Sequence, residues 1–415
     1  MLMSPALPAD AGHTLMQRLD EIAQFSESGP GVTRRPFTEE HRRANEVITA
    51  WMQRAGLKVH IDAAGTLVGR KAAAPGAKTL LIGSHQDTIR QGGKYDGIFG
   101  IALPILVLES LRGRTLPYAV EVLAFADEEG VRFPTALMGP RALAGTFDKT
   151  NLQKTDKDGV SLAAALSDFG GDPDGIAAAR RDPDDLLGYL EMHIEQGPVL
   201  ESLGLPVGIV TAICGIERWT VDLIGQAAHA GTTPMDLRRD AYAGAAEVAL
   251  EVESYCRATD GLVGIVASVS LLPNVPNAIP GQATFSIELR ASEDSIREAA
   301  AAVISEAVEA ISRRRGLECR LTRTYAQNAV PCDPGLRGAL ARSLIQSGFC
   351  PHRLASGATH DASAMADLCP VAMLFTRCRD GLSHHPDEAI TAEDAQASAE
   401  CLAGFLQTLE TPGAS

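Results

Sequence analysis

Apolar runs that end abruptly in polar segments constrain this chain more than any other feature of its sequence. Thr79–Ser84 and Tyr118–Ala126 have the composition of buried strands, and Ile98–Leu111 between them has that of a helix. This alternation predicts an α/β layer structure. Ligands of open α/β sheets gather in loops beyond the carboxyl ends of the strands, so the polar segments after these runs are candidate site segments.

A second pattern begins near Gly215. Its elements follow the order β-α-β-β-α-β and are predicted at Arg218–Gly225, Asp236–Cys256, Gly264–Leu272, Thr284–Arg290, Ser292–Arg314 and Leu317–Thr324. That order is typical of the ferredoxin-like, split-βαβ unit. The first pattern resumes afterwards at Gly335–Gln346, Val371–Phe375 and Ala392–Leu409. Because 415 residues exceed what one core usually supports, we predict an inserted α+β domain at 214–328 within a domain formed by 1–213 and 329–415.

The composition argues against several kinds of partner. A formal net charge of -15 argues against nucleic acid and anionic membrane surfaces, which both need clustered Lys and Arg, and favours a small molecule. No apolar run reaches the roughly 18 residues of a membrane helix, and Met1–Ala11 lacks the pattern of an export signal. The eight cysteines include no C-x-x-C pair, which is typical of reduced thiols and favours a cytoplasmic location.

Three candidate site segments lie in the first third of the chain. His85 ends a strand-like run, and Asp87 follows on the same side of the extended chain, where it could hold the imidazole in one tautomer for a metal. Asp96 lies between glycines before a helix, where it either bridges two cations or caps the helix. The acidic run that contains Glu128 and Glu129 either is a solvated loop or needs cations to offset its repulsion. In the second case its members could act separately as base and ligand.

Two further segments carry histidines. His193 lies in a predicted strand with Glu195 on the same face and Gln196 opposite, and a lone buried histidine of this kind is usually a hydrogen-bonded core residue. His384 and His385 are adjacent, so only one is expected to face a given site, and position alone does not choose between them. None of the five segments offers a cysteine ligand, which favours hydrolytic zinc, manganese, cobalt or nickel over a structural zinc site.

In this order, and with the inserted domain, the five segments resemble the aminoacylase/carboxypeptidase superfamily of binuclear metallohydrolases over nearly the whole chain. The stretch His193–Pro198 is similar to the amidase branch, which comprises N-carbamoyl-L-amino acid hydrolases, β-ureidopropionases and allantoate amidohydrolases. Related peptidases carry an acid where His193 stands. The resemblance implies an α/β catalytic domain with a mixed central sheet flanked by helices, plus an inserted α+β ferredoxin-like domain that acts as lid and dimerisation surface.

The resemblance also implies a catalytic centre with two divalent metal ions per subunit. The implied ligands are His85 and His193 on one metal, Glu129 and His384 on the other, and Asp96 as the bridge. His384 rather than His385 matches the family pattern because Glu388 follows it four residues later. Glu128 would be the general base, taking a proton from the attacking water, and Asp87 would support the centre from beside His85.

Substrate-binding residues are implied in the same way. His229 resembles the family histidine that stabilises the oxyanion in the site of the partner subunit, which implies a homodimer. Asn277 and Arg290 match the family's clamp for a substrate carboxylate, and a guanidinium fork suits that planar group. Gln196 matches the residue that contacts the ureido or carbamoyl group.

The expected reaction is hydrolysis of the C–N amide bond of an N-carbamoyl-L-amino acid to the amino acid, carbon dioxide and ammonia. Alternatives on the same scaffold are allantoate amidohydrolase, β-ureidopropionase and N-acyl amino acid amidase activity. A metal-dependent binding protein is disfavoured because the base Glu128 is present. Thr359 stands where the family commonly has Gly, and a β-branched residue there narrows the pocket or moves the loop beside His360.

Overall fold

A computed structural model of the chain describes residues 7–410. Residues 1–6 and 411–415 lie outside the described part, including the beginning of Met1–Ala11, which was predicted to carry no export signal. The chain divides into two compact units. The first contains the described residues up to Thr211, Cys332–Leu354 and those from Thr359 onward, and the second contains Ala212–Pro331 and Ala355–Ala358.

Helices and strands alternate along the described chain. The α-helices are α1 Ala11–Ile22, α2 Glu39–Arg54, α3 Phe99–Ser110, α4 Met138–Ala144, α5 Leu162–Phe169, α6 Val199–Ser202, α7 Ala241–Ala258, α8 Asp294–Arg315, α9 Pro334–Gln346, α10 Asp361–Met365 and α11 Ala392–Thr408. The strands are β1 Lys58–Ile61, β2 Leu67–Lys71, β3 Thr79–His85, β4 Ala119–Phe125, β5 Leu186–Ile194, β6 Val207–Ile213, β7 Gly215–Ile224, β8 Ala228–His229, β9 Leu262–Leu272, β10 Ala278–Ile279, β11 Gln282–Ala291, β12 Glu318–Gln327, β13 Val330–Pro331, β14 Arg353–Ser356 and β15 Val371–Thr376. Every helix and strand predicted from the sequence is present, although several ends differ.

A mixed sheet runs through the first unit. Its strand order is β1-β2-β4-β3-β5-β15-β6-β13, and β14 pairs with β6. β3 runs parallel to β4 and β5, and β15 runs parallel to β5. β2 is antiparallel to β4, and β6 is antiparallel to β15. The predicted mixed central sheet is therefore confirmed, and the carboxyl ends of β3, β4 and β5 meet at one edge.

Helix α3 fixes the position of the Asp96 loop over that edge. The helix is apolar around its whole circumference and buried from Phe99 to Leu108, because it lies between the sheet and further helices. A Cβ on Gly100 would lie 2.2 Å from the carbonyl oxygen of Met192, so only glycine allows α3 to approach β5 this closely. The amino-terminal end of α3 thus places Asp96 next to the ends of β3 and β5.

The second unit contains a four-stranded antiparallel sheet covered by two helices. Its strand order is β12-β7-β11-β9, which is the order of the predicted ferredoxin-like unit. Along β11 the odd-numbered residues are buried and the even-numbered ones half-buried, so one face of the sheet packs under α7 and α8 while the other stays open.

Helix α7 begins later than predicted. The sequence placed its start at Asp236, but residues Met235–Leu237 form a 3-10 turn after Pro234. Asp240 is the N-cap, and its carboxylate accepts the backbone N–H groups of the next turn. Within residues 7–410, no helix is long and apolar enough to cross a bilayer.

His41 is a neutral histidine in the core of the first unit. It is fully buried, lies 4.5 Å from the ring of Phe169, and accepts the backbone N–H of Phe37 at Nδ1 over 2.9 Å. Burial, and then the charges of Arg34 and Arg42, lower its pKa to about 3. The folded chain therefore resists protonation of this imidazole at pH values where an unfolded histidine is charged.

Acidification should destabilise the first unit through His41. Between about pH 6.5 and about pH 3 the unfolded chain binds a proton at His41 and the folded chain does not. The contribution of neutral His41 to the free energy of unfolding is therefore fully present above pH 6.5. It falls by about 1.4 kcal/mol for each pH unit below that. His41→Asn keeps an acceptor for the Phe37 N–H but does not titrate. Urea unfolding of metal-free protein should show a steeper loss in the wild type, and equal pH slopes would contradict this account.

Candidate metal centre

His85 is the last residue of β3 and is buried at the carboxyl edge of the sheet. Its Nδ1 lies 2.9 Å from the backbone carbonyl oxygen of Asp87, so Nδ1 carries the proton and Nε2 is available to a metal. The sequence assigned this orienting contact to the Asp87 carboxylate. That assignment is corrected, because the carboxylate lies 3.8 Å away and accepts other hydrogen bonds.

The Asp87 carboxylate instead supports the acidic segment after β4. Its two oxygens accept the backbone N–H groups of Glu128 at 3.0 Å and of Glu129 at 3.1 Å. Asp87 is fully buried, so these bonds fix the two glutamates relative to the end of β3. Asp87 is thus a positioning residue for both acids.

Asp96 faces histidines from three separate parts of the chain. Its Oδ1 lies 3.1 Å from Nε2 of His193 and 3.7 Å from Nε2 of His85, whereas its Oδ2 lies 3.2 Å from Nε2 of His384. Helix capping, the alternative use of Asp96, is not observed, since α3 has no side-chain cap. The carboxylate therefore presents one oxygen to each of two groups of possible ligands.

The two remaining histidines are held in different ways, His193 by a backbone contact and His384 by its backbone conformation. Nδ1 of His193, near the end of β5, lies 2.9 Å from the carbonyl oxygen of Ile194, which leaves Nε2 directed at Asp96. His384 has a φ of 55°, in the left-handed region that costs a residue with a Cβ roughly 1 kcal/mol or more, and such strain is common at functional sites. The neighbouring His385 turns away, and its Nδ1 accepts the N–H of Asp387.

These side chains form overlapping groups whose ligand atoms lie within 4.8 Å of one another. The groups are His85, Asp96 and His193; Asp96, Glu129 and His384; and His85, Glu128 and Glu129. Asp96 belongs to the first two, as a ligand shared by two cations must. A nitrogen and carboxylate donor set without sulfur fits zinc, manganese, cobalt or nickel.

Burial and like charge control the ionisation of the centre. Burial, followed by the charges of Glu129 and Asp361, raises the pKa of Glu128 well above its ordinary value. Burial and the nearby Asp96 raise the pKa of Glu129 to about 8. Burial also acts to raise the pKa of Asp96, but hydrogen bonds from two histidines hold it well below its ordinary value. Carboxylates packed this closely either take up protons or stay ionised beside positive charge, and divalent cations would supply that charge.

Gln196 lies beside the same carboxylate. Its φ is 57°, and its Nε2 donates to Oδ2 of Asp96 at 3.1 Å and to the hydroxyl of Ser383 at 3.3 Å. Its buried Oε1 has no hydrogen-bond partner within residues 7–410. The amide nitrogen is therefore engaged by the centre, and the amide oxygen remains as an acceptor.

Two buried residues near the centre, Glu191 and His360, were not among the predicted metal ligands. Glu191 accepts the Ser84 hydroxyl and the Ala362 N–H, both at 2.8 Å, so its oxygens are already engaged although it could join His193 and His360 around a cation. The ring of His360 packs edge-on against His193, with 4.5 Å between centroids. Glu191 lies two residues before His193 on the same face of a strand, and that spacing was the signal available in the sequence.

Glu388 supports the backbone of the Asp96 loop. One of its oxygens accepts the N–H groups of Tyr95 and Asp96, both at 3.1 Å, and the other accepts the Ser383 hydroxyl at 2.8 Å. A Cβ on Gly93 would lie 2.2 Å from this carboxylate, so a larger residue there would displace it. The sequence analysis used Glu388 only to choose His384 over His385. In the structure Glu388 also holds the backbone of the Asp96 loop through these hydrogen bonds.

The predicted substrate residues His229, Asn277 and Arg290 belong to the second unit. His229 is exposed in β8, which pairs with β10, and the carbonyl oxygen of Asn277 accepts the N–H of Ala230 at 2.9 Å. These two residues are therefore neighbours. Arg290 lies near the end of β11, where it donates to Glu288 at 2.8 Å and to the carbonyl oxygen of Gly357 at 2.5 Å.

Comparison with known proteins identifies the family. Peptidase family M20/M25/M40 matches residues 75–408, and the chain belongs to this family. It is 40% identical over 395 residues to an N-carbamoyl-L-amino acid amidohydrolase of Geobacillus stearothermophilus, covering 94% of this chain and 97% of that protein. It is 38% identical over 426 residues to an allantoate deiminase of Arabidopsis thaliana, covering 94% and 81%.

A solved structure gives the same result. The fold is similar to that of an amidase of the hydantoinase/carbamoylase family from Burkholderia multivorans, with a TM-score of 0.90, 31% identity, and coverage of 96% of this chain and 97% of that one. The resemblance stated from the sequence motifs and the α/β fold class are therefore confirmed. The individual roles of the site residues stay predictions.

Gly97→Ala should weaken metal binding. Gly97 has a φ of 67°, and a Cβ there would lie 2.4 and 2.5 Å from two ring atoms of His85. We expect the metal affinity to fall about 10-fold or more, measured by competition with a chromophoric chelator. Gly113→Ala is the matched control, because Gly113 has a φ of 87° but no atom within 4 Å of the added Cβ. If both substitutions lowered the metal affinity equally, the contact with His85 would not be the cause of the loss.

Proposed function

We propose that this chain hydrolyses the C–N amide bond of an N-carbamoyl-L-amino acid, with two divalent metal ions in each subunit. Membership of the family, and relatives that are amidohydrolases, make the chain a hydrolytic enzyme that acts on amides. The carbamoyl substrate is the proposal. The observation that carries the two-metal centre is the Asp96 carboxylate, whose two oxygens face separate histidines as a shared ligand of two cations would.

The residues of the centre suggest a division of the chemistry. Metal ions held by the two groups would lower the pKa of a water molecule and polarise the substrate carbonyl. Glu128, half-buried beside those groups, would take the water proton and return it to the leaving nitrogen. His229 would donate to the oxyanion. The carbon–nitrogen bond to the amino acid breaks, and the carbamate released decomposes to carbon dioxide and ammonia.

Gln196 supports a carbamoyl group over an acyl group. Its amide oxygen is a buried acceptor that has no hydrogen-bond partner within residues 7–410. A carbamoyl group ends in an NH2 donor at the position where an acyl group has carbon. Leaving a buried acceptor unpaired costs roughly 1–3 kcal/mol, which disfavours N-acyl amino acids.

Allantoate is the second candidate substrate. A relative at 38% identity is an allantoate deiminase, and allantoate also ends in carbamoyl NH2 groups, as does the substrate of a β-ureidopropionase. Gln196 therefore does not separate these substrates from an N-carbamoyl amino acid. Thr359 is placed immediately before the buried His360, where it could narrow the space for a second ureido group.

Glu128→Gln should abolish turnover while leaving the metal content unchanged. Removing a general base costs about 10²- to 10⁴-fold in rate, and the amide keeps the size of the side chain. Ammonia release is measured with N-carbamoyl-L-amino acids, allantoate and 3-ureidopropionate, and amino acid release with N-acyl amino acids. The exposed Glu253→Gln is the control. If Glu128→Gln were active near the wild-type rate, Glu128 would not be the general base. If the wild-type protein hydrolysed acyl but not carbamoyl compounds, the proposed carbamoyl substrate would be wrong.

We further propose that the protein acts as a homodimer in which the inserted domain supplies residues to the partner subunit. Gln282 and Arg290 stand at opposite ends of β11, separated by eight residue steps, or roughly 27 Å. His229 and Asn277 lie beyond the Gln282 end. One small amino-acid derivative does not span that distance, so His229 and Arg290 of the same chain would serve different sites.

The edge strand β9 supports a second copy as the partner. β9 ends the strand order of its sheet, so one of its edges has no neighbouring strand among the described residues. Apolar side chains along it, Val263, Ile265, Val269 and Leu272, are 52–59% exposed. An exposed apolar edge of this length tends to associate, and a two-fold contact between identical edges would cover both copies. This is the dimerisation and lid role that we propose for the inserted domain.

Mixing two inactive variants should restore activity. His229→Ala and Arg290→Ala are each expected to lose most turnover. If the two residues serve different sites, each heterodimer contains one intact site, so random reassortment restores up to about one quarter of the wild-type activity. The measurement is ammonia release after co-refolding or co-expression. Absence of recovery, with dimers verified by light scattering, would place both residues in one site.

A cytoplasmic location is the remaining proposal. All eight cysteines of the chain are free thiols. Burial raises the pKa of Cys401, Cys369 and Cys332 above that of an ordinary thiol, which keeps them protonated and unreactive. A chain that contains many thiols and no disulfide suits a reducing compartment.

A further inference from the structure

Arg34 is a buried arginine that has no role in the mechanism above. It is 1% exposed, and the bonds that its guanidinium donates within residues 7–410 go to backbone carbonyl oxygens. Nε donates to Gln86 at 2.8 Å, while Nη1 donates to Ile22 at 3.0 Å and Phe25 at 3.2 Å. No carboxylate lies within ion-pair distance of Arg34 in the described part of the chain. Burying a charge without a paired carboxylate is costly, and here hydrogen bonds to carbonyl oxygens offset part of that cost.

The carbonyl of Gln86 is the link between Arg34 and the metal centre. Gln86 stands between His85, a predicted ligand, and Asp87, whose carboxylate holds the N–H groups of Glu128 and Glu129. The other end of the guanidinium is fixed at the carboxyl end of α1, where carbonyl oxygens favour a positive charge. Arg34 therefore ties a rigid helix end to the peptide that separates His85 from Asp87.

The backbone around Arg34 follows the same loop. The N–H of Arg34 donates to Oγ1 of Thr88 at 2.9 Å, and the N–H of Thr88 donates to the carbonyl oxygen of Arg34 at 3.1 Å. Val32 and Gly92 exchange both backbone hydrogen bonds, at 2.8 and 2.9 Å. The segment 32–34 thus lies along 86–92, which is the chain that leads from His85 to Asp96.

Asn45 holds the Gln86 side chain from α2. Nε2 of Gln86 donates to Oδ1 of Asn45 at 2.7 Å, so the residue between His85 and Asp87 is fixed at both its carbonyl and its side chain. The charges of Arg34 and Asp87 act on each other: Asp87 raises the pKa of Arg34, and Arg34 lowers the pKa of Asp87. Arg34 therefore favours the ionised form of the carboxylate that positions the two glutamates.

We propose that Arg34 is a positioning residue of the metal centre. It holds the Gln86 carbonyl and pairs its backbone with Thr88, and through these contacts sets His85, Glu128 and Glu129 in the geometry that binds metal. Lysine is not equivalent, because one ammonium does not reproduce the planar fork that reaches carbonyls on opposite sides. This inference rests on the proposed function, since it assumes that those residues surround metal ions.

Arg34→Lys is the first test, and Arg18→Lys is its matched control. Arg18 is also largely buried in the first unit, where it pairs with Glu109 and stacks on Trp51, and it has no contact with 86–92. Both substitutions shorten a buried arginine and keep its charge. We expect Arg34→Lys to bind zinc or manganese about 10-fold more weakly or worse in chelator competition, and Arg18→Lys to bind as the wild type does.

Turnover provides a second readout. With saturating metal, Arg34→Lys should lower kcat while KM changes little, because Arg34 acts on the metal-binding side chains and does not touch substrate. Wild-type metal affinity and kcat in Arg34→Lys would overturn the inference. An equal loss of affinity in Arg18→Lys would do the same, since it would mean that any loss of stability weakens the centre.

A milder pair of variants covers the case in which Arg34→Lys does not fold. Thr88→Ala removes the acceptor for the Arg34 N–H, whereas Thr88→Ser keeps it. We expect weaker metal binding in Thr88→Ala than in Thr88→Ser, and equal binding would count against the inference. Metal titration requires no substrate. Wild-type protein that binds metal without hydrolysing any carbamoyl compound would therefore contradict the proposed reaction, but not the role of Arg34.

Discussion

The two oxygens of the Asp96 carboxylate set the arrangement on which the rest of the site depends. One oxygen faces His85 and His193, and the other faces His384. This requires the Asp96 loop to stand at a fixed height over the ends of β3 and β5. The close contact of Gly100 in α3 with β5 sets the distance of the loop from the sheet. The backbone N–H groups of Tyr95 and Asp96, which both donate to Glu388, fix the orientation of the loop. A shift of about 1 Å would separate the two groups of ligands.

Electrostatics imposes the second constraint. The carboxyl edge of the sheet gathers more buried acids than its histidines can balance, and burial raises the pKa of Glu128, Asp361 and Glu388. Keeping these acids ionised inside the fold is unfavourable unless cations are present. Metal binding would therefore contribute to the stability of this edge as well as to chemistry. The single positive charge of Arg34, which favours the ionised form of Asp87, offsets only part of the repulsion among so many acids.

The sequence predicted the fold and the candidate ligands better than the contacts that hold them. Periodicity and the order of elements were sufficient for the mixed sheet and the ferredoxin-like unit, because each depends on local patterns. The role of Asp87 was wrong in detail, since a spacing of two residues shows which way a side chain points but not which group it meets. Arg34 was absent from the prediction because its partner Gln86 is 52 residues away and the guanidinium donates to backbone carbonyl oxygens, which any residue has. No local pattern reports such a contact.

The length of one strand bears on the homodimer that we propose. In a strand each residue advances the chain by about 3.4 Å whatever its side chain, so the eight steps of β11 between Gln282 and Arg290 fix a separation that no rotamer closes. A guanidinium at one end and an imidazole beyond the other end do not meet on one small molecule within a single unit. The same sheet carries an apolar edge along β9. If both residues serve catalysis, a second copy is the simplest partner that uses the separation and covers the edge.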